Sequence, residues 1–271
     1  MTFSPIVPFG GYSGWTFLKR TLPVQRASFD ATAVAKREQE YFRKTIGKVN
    51  SADDLVADRR LLQIALGAHG LDNDINNKYF IRKVLADGTL NEKALSNRLA
   101  NKQYEKLSAA FGFGDFSTPR SKLSDFADKT LALYNERQFE AAVGAQNGDF
   151  RLALNAEREL PALARKSGTE DTLWYTVLGN IPLRRVFEGA LGLPRSFGSI
   201  DLDQQLSTMK TRLQSRFGSD SLRQFSDPAR IETLVRRFLV QSDVATASAQ
   251  SSRSASALQL LQAGGFRTRP S

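Results

Sequence analysis

Apolar residues recur at spacings of three and four along most of the chain, and no stretch alternates apolar and polar positions between turn signals as a half-buried strand does. The clearest stripe is Ile231, Leu234, Val235, Phe238 and Leu239, which fall at i, i+3, i+4, i+7 and i+8. The pattern predicts an all-α protein, a multi-helix bundle of roughly eight to eleven helices. Helix signals run from Phe29 to Ile46 before Gly47, from the N-cap Ser51 through Leu61 and Leu66 to Gly67, from Asp74 to Ala86 before Asp87-Gly88, and from Asn91 to Phe111 before Gly112. A long helix is expected to start at Thr118-Pro119, with proline in the first turn where its missing N–H costs nothing. The helix from Asp149 to about Lys166 contains Pro161, which should kink or break it.

Punctuation repeats as well as pattern. Phe111-Gly112 followed by Phe116-Ser117-Thr118-Pro119 is echoed by Phe217-Gly218 followed by Phe225-Ser226-Asp227-Pro228. Leu107, Phe111 and Gly112 match Leu213, Phe217 and Gly218 at an offset of 106, and Leu62, Ala65, Leu66 and Gly67 match Phe187, Ala190, Leu191 and Gly192 at 125. Two readings stand at this level. Either the bundle consists of two pseudo-repeated helical halves, or common helix starts and stops merely look alike. The corresponding division is an irregular leader over 1–28, rich in Gly and Pro, a first helical half over 29–148, a second packed on it over 149–244, and a mobile Ala/Ser-rich tail over 245–271.

Composition narrows the function classes. The 271 residues carry 38 Lys/Arg against 28 Asp/Glu, a net charge of +10 that favours acidic partners. Residues 1–50 alone hold eight basic side chains against Asp30, Glu38 and Glu40, but no block of five like charges occurs anywhere. A chain without Cys has no disulfide, thiol nucleophile or thiolate metal site, and its single histidine, His69, excludes a two-histidine zinc motif. Asp72, Asp74 and Asn76 imitate a calcium loop, yet Asn77 stands where glycine is required and Lys83 where the bidentate Glu belongs. Gly112-Phe113-Gly114 lacks the remainder of a phosphate cradle. The carboxylate pairs Asp53-Asp54, Glu170-Asp171 and Asp201/Asp203 sit where helices begin, so capping explains them. No catalytic, cofactor or metal-binding residue is assigned, and the chain is read as not an enzyme. An enzymatic reading would need a deep pocket around Asp58, Arg59 and His69.

For a partner surface the candidate residues are Tyr12, Trp15, Phe17, Leu18, Lys19 and Arg20, an aromatic cluster beside two cations of the kind that anchors interfaces. The same cluster could instead fold back onto the core. The N-terminus lacks the basic and apolar regions of a conventional signal peptide, and no segment reaches the roughly 18 to 20 apolar residues that span a bilayer.

Gly14-Trp15-x-Phe17-Leu18, Glu40-Tyr41-Phe42-Arg43, Ile46-Gly47-Lys48-Val49 and the run Asp53 to Leu62, continued by Ala65-Leu66-Gly67-Ala68, Tyr79 to Leu85 and Phe111-Gly112-Phe113, resemble a family of bacterial all-helical proteins of unknown function. Its genes often neighbour flagellar genes. The resemblance covers most of the first 140 residues closely and the rest more loosely. It implies an all-helical fold, a link to motility and no catalytic residues to carry over. The combined expectation is a non-enzymatic structural or protein-interaction protein associated with the flagellum or its export and assembly, with protein partners among flagellar components, in the cytoplasm or exported through the flagellar channel. The alternative is a basic helical regulator that binds nucleic acid, which the net charge motivates.

Overall fold

Ser51 accepts from the Asp54 N–H while the Asp54 carboxylate accepts from the Ser51 N–H, a complete capping box that starts α3 (Ala52–Ala57). One turn later the backbone leaves the helix at Asp58, whose carboxylate accepts from the N–H groups of Arg60 and Leu61 and starts α4 (Arg59–His69). The single helix expected from Ser51 to Gly67 is therefore two, because Asp58 is a cap inside an unbroken apolar stripe. The computed structural model describes residues 3–263. Among them it contains thirteen α-helices, five 3-10 helices and no strand, more helices than the eight to eleven expected.

The other extra helices have the same origin. The stretch 29–46 belongs to two helices, α1 (Gly11–Asp30) and α2 (Ala33–Thr45), separated where the Thr32 hydroxyl accepts from the Ala35 N–H. After α5 (Lys78–Asp87), the stretch 91–112 divides into α6 (Leu95–Arg98) and α7 (Gln103–Phe111). Pro119 does not start the long helix directly. It precedes a 3-10 turn over Arg120–Lys122, and α8 (Phe126–Gln146) follows. Pro161 does not break α9 (Gly148–Ala164), which ends one turn later.

The described residues divide into two compact units, 3–7 with 17–151 and 8–16 with 152–263. In the first, Leu61, Leu62, Ala65 and Leu66 of α4 meet Leu131 and Tyr134 of α8 in a core closed by Phe42, Leu55, Ile81, Leu85 and Phe111. Each fully buried large apolar side chain there contributes roughly 1.5 to 3 kcal/mol. The α4–α8 pairing is the most extensive in this unit, and α5 packs across α3 and α7. In the second unit, α10 (Glu170–Gly179), α11 (Ile181–Leu191), α12 (Leu202–Phe217) and α13 (Pro228–Ala263) bury Trp174, Phe187, Leu213, Phe225, Leu234 and Val235. Here α11 and α13 form the most extensive pairing, and α10 meets α12 directly.

Two expectations for the ends change. Residues 11–28 are helical rather than irregular, since burial of Trp15 and Leu18 outweighs the low helix propensity of Gly14 and Pro23. Residues 3–10 are outside any helix, and 3–7 are anchored within the first unit: the Gln25 amide accepts from Ile6 N–H at 2.8 Å and donates to its carbonyl at 3.1 Å, and Phe3 packs edge-on against Phe29. At the other end, residues 245–263 continue α13, where alanines extend a helix already nucleated upstream. The side chains of 249–263, including the Leu258, Leu260 and Leu261 segment, and residues 264–271 lie outside the described residues.

Candidate functional site

The predicted partner cluster does not form one exposed face. Trp15 and Leu18 have no exposed surface at all and are core residues, so the fold-back reading holds for them. Tyr12 is tied down within the second unit. Its hydroxyl donates to Glu232 at 2.9 Å, and the Arg236 guanidinium lies 5.2 Å from its ring centre. The Glu232 hydrogen bond, with burial and charge adding to it, raises the Tyr12 phenol above its ordinary pKa. Next to it, Gly11 leaves room for the Asp243 carboxylate, which would collide with any β-carbon at that position. Phe17 is half-buried with Arg20 at 5.7 Å from its ring centre, and only Arg20 of the six is well exposed. A sequence stripe reports amphipathicity, and here the apolar half of the stripe faces inward.

Polar groups singled out for chemistry turn out to hold the backbone. Asp201 caps α12 by accepting from the Asp203 and Gln204 N–H groups, and Glu170 accepts from the Ser221 hydroxyl and the Leu222 N–H. His69 is the buried last residue of α4. Asp72 accepts from Gln138, and Asp74 from Tyr104 and Asn77, so the calcium-like run is a hydrogen-bonded 3-10 turn. Burial, reinforced by Asp74, pushes the Tyr104 phenol up to about 12. Gly114 packs against the backbone of Ala86 and Gly88, which accounts for the Gly-Phe-Gly run without a phosphate. Among the described residues no group of three or more His, Asp or Glu could hold a metal ion, and no helix is long and apolar enough to cross a membrane.

A shallow cavity of about 180 Å³ is lined by Arg59, Gln63, Leu66, Asp72 and Ile75. It includes Arg59 from the trio that an enzymatic reading would need. The Asp58 carboxylate, however, is already committed to Tyr41 and to the α4 cap: burial pushes its pKa up, but these donors outweigh burial and hold it below the usual range.

The site that sequence reasoning missed lies on the outer side of α2. Val34, Arg37, Tyr41 and Lys44 are spaced three, four and three residues apart, and Lys48 in the following 3-10 turn continues the row. Val34 is 52% exposed, and Arg37, Lys44 and Lys48 are exposed too. Arg60 of α4 stacks on the Tyr41 ring at 3.6 Å and donates to the Arg37 carbonyl. Lys122 reaches the same edge, donating to the Gly47 carbonyl at 3.3 Å. Segment charge pointed to residues 1–50 as basic. Only the break at Thr32 shows which of those charges share a face.

Comparison with known proteins then places the chain. The family pattern described as "Protein of unknown function (DUF1217)" matches residues 68–231, more than half of its length. The chain belongs to this family. The DUF1217 match runs from the end of α4 into α13, so it includes neither α2 nor the Tyr12–Arg20 segment. A crystal structure of an Agrobacterium tumefaciens protein is similar at 27% identity and a TM-score of 0.72, covering 89% of this chain and 97% of that one. No curated protein matches the chain.

Proposed function

We propose that this DUF1217 protein is a non-enzymatic structural or protein-interaction protein associated with the bacterial flagellum or its export and assembly. The observation that carries the interaction half is how its polar groups are employed. Asp54, Asp58, Asp115, Glu170 and Asp201 each satisfy backbone N–H groups at caps and turns, while cations on exposed helix faces such as Arg37, Lys44, Arg212 and Arg216 make no ion pair among the described residues. That arrangement supports a scaffold acting through its helix faces. The flagellar half rests on the resemblance of the residue runs from Gly14 to Phe113.

A tagged full chain recovered from motile cells of the source organism should bring down identified flagellar or export components, and a variant lacking residues 245–271 tests the contribution of the chain's end. A protein confined to the cytoplasm, whose deletion leaves swimming intact, would sink the flagellar association. The net charge of +10 supports a second reading as a nucleic-acid-binding regulator, which requires salt-sensitive binding to duplex DNA.

A further inference from the structure

We infer that the outer face of α2 is a docking surface for an acidic amphipathic helix of a partner protein. The inference rests on the interaction reading above and gives it a place and a chemistry. The row Val34, Arg37, Tyr41, Lys44, Lys48 has the three-four spacing with which one helix presents a continuous seam to another. Its composition is that of an interface with one sign of charge: an exposed valine at one end, a half-buried tyrosine in the middle and three exposed cations between and beyond them. None of Arg37, Lys44 and Lys48 makes an ion pair among the described residues. The neighbouring Arg43 differs, since it is matched by Asp128 at 3.0 Å.

Two acids of the neighbouring segment are already hydrogen-bonded. Asp58 accepts from Tyr41 and from the α4 cap, and Asp54 accepts from the Asn50 and Ser51 N–H groups. Glu40 is the remaining acid on the solvent side of α2, flanking the row rather than lying in it. Arg60 and Lys122 add positive charge along one edge. A helix carrying glutamates at matching spacing would pair with Arg37, Lys44 and Lys48, and an apolar residue on it would cover Val34.

Helical protein fits this surface better than nucleic acid. Val34 has no use to a phosphate backbone, and the Tyr41 ring and hydroxyl are already engaged by Arg60 and Asp58, so the tyrosine is not held out to receive a base.

The test is binding of the full chain to a fluorescent helical peptide of Glu-rich heptads with a leucine seam, by anisotropy at low and at physiological salt, beside a labelled DNA duplex. The peptide should bind, and Lys44→Glu with Lys48→Glu should weaken it by about tenfold or more, partly from added repulsion. Val34→Asn should weaken it less. The matched reversal Arg212→Glu with Arg216→Glu on α12 should leave it unchanged, which separates a local surface from net charge. Circular dichroism of each variant reports whether the fold is kept, and Lys44→Gln with Lys48→Gln serves if the reversal perturbs it. The inference is overturned if the peptide does not bind, if both reversals weaken it equally, or if the duplex binds more tightly and is the ligand lost with Lys44→Glu and Lys48→Glu. Because no flagellar component is used, binding here with failure of the capture experiment would remove the flagellar association and leave the surface standing.

Discussion

The two units contain the same helical motif, and comparing them residue by residue shows which positions the motif requires. At an offset of 122 the N-caps Asp58 and Asn180 coincide, both helices run eleven residues, and both end in the same turn. In that turn Gly70 and Gly192 have φ of 71° and 69°, their N–H groups donate to Gly67 and Gly189, and the next N–H groups reach back to Leu66 and Glu188. At the same offset Ala52, Leu55 and Val56 of α3 become Trp174, Val177 and Leu178 of α10, all buried. At 106, α7 and α12 share Leu107/Leu213, Phe111/Phe217 and a glycine cap. At 104, Leu131 and Tyr134 of α8 become Val235 and Phe238 of α13. The contact that locks the motif also repeats: a β-carbon at Gly67 would lie 2.7 Å from the Tyr134 ring, and one at Gly189 would lie 2.6 Å from the Phe238 ring.

The differences are as informative. Between the equivalent positions Gly192 and Leu213 the second copy is sixteen residues shorter than the first is between Gly70 and Leu107, the difference between offsets of 122 and 106. Nothing equivalent to α5 is present, α12 is longer at its start than α7, and it packs directly on α10. Where the first copy buries Leu62 and Leu66 completely, the second has Arg184 and Glu188, an ion pair at 3.3 Å whose side chains are 25% and 12% exposed. The equivalent positions are apolar in one copy and hold a pair of charges in the other.

Exchanging these pairs gives the largest expected effect. Leu62→Arg with Leu66→Glu puts two charges into a closed core and should cost more than about 3 kcal/mol of stability in urea denaturation. The reverse exchange, Arg184→Leu with Glu188→Leu, should be neutral or stabilising, because a partly desolvated ion pair barely repays its burial. If the two exchanges cost the same, the copies are not packed around this position as described.

Next come the close-approach glycines. Gly67→Ala and Gly189→Ala should each destabilise by roughly 1 to 3 kcal/mol through overpacking. Each should be partly rescued by shortening its own partner ring, Tyr134→Leu for the first and Phe238→Leu for the second, with no rescue when the partners are crossed. Double-mutant cycles measure this directly, and rescue by the crossed partner would break the equivalence.

Much of this was readable in the chain. Periodicity reported the all-helical class, and the 106 offset coincides with equivalent buried and capping positions in α7 and α12. The 125 offset misaligns α4 and α11 by three residues, nearly one helical turn, which a stripe of apolar residues cannot distinguish from the true 122. Phe-Ser-X-Pro was misleading in a more instructive way. Its copies lie 109 apart, whereas α8 and α13 are related at 104, and the motif plays different parts: Phe225 is buried against Phe187 and Phe217, while Phe116 is 41% exposed beneath Arg120. Phe113 and Phe126 fill the equivalent place against Phe111. Pro228 does start a helix and Pro119 only a 3-10 turn, so identical punctuation served two geometries. The α2 surface was hidden for another reason. Its cations are legible, but which of them share one face depends on where the helix begins, and caps inside an apolar stripe are the feature sequence reasoning resolved least well.

The smallest effect expected is a difference in acid response between the copies. In the first unit, Asp54, Asp58, Asp115 and Asp125 are held below the usual carboxylate range: Asp54 chiefly by the Asn50 N–H, Asp125 chiefly by Lys129, and Asp58 and Asp115 by donors that outweigh burial. Among the described carboxyls there, Asp30 is raised, by burial. In the second unit burial raises Glu188 against the pull of Arg184 and Arg185. A lowered carboxyl stabilises the fold above its unfolded value, about 3.9 for Asp, and that stability is lost as pH falls through the lower folded value. A raised carboxyl binds its proton more readily when folded, so stability increases as pH falls through its folded value toward about 4.3 for Glu. Hydrogen-exchange protection should therefore decline first in α3 and α4 as pH is lowered toward 3, while α11 holds or gains. Glu188→Gln should abolish the gain in α11 and leave α3 and α4 unchanged. Earlier loss of α11 would show that the Arg184–Glu188 pair stabilises as an ion pair, contrary to the neutral outcome expected from its exchange for leucines.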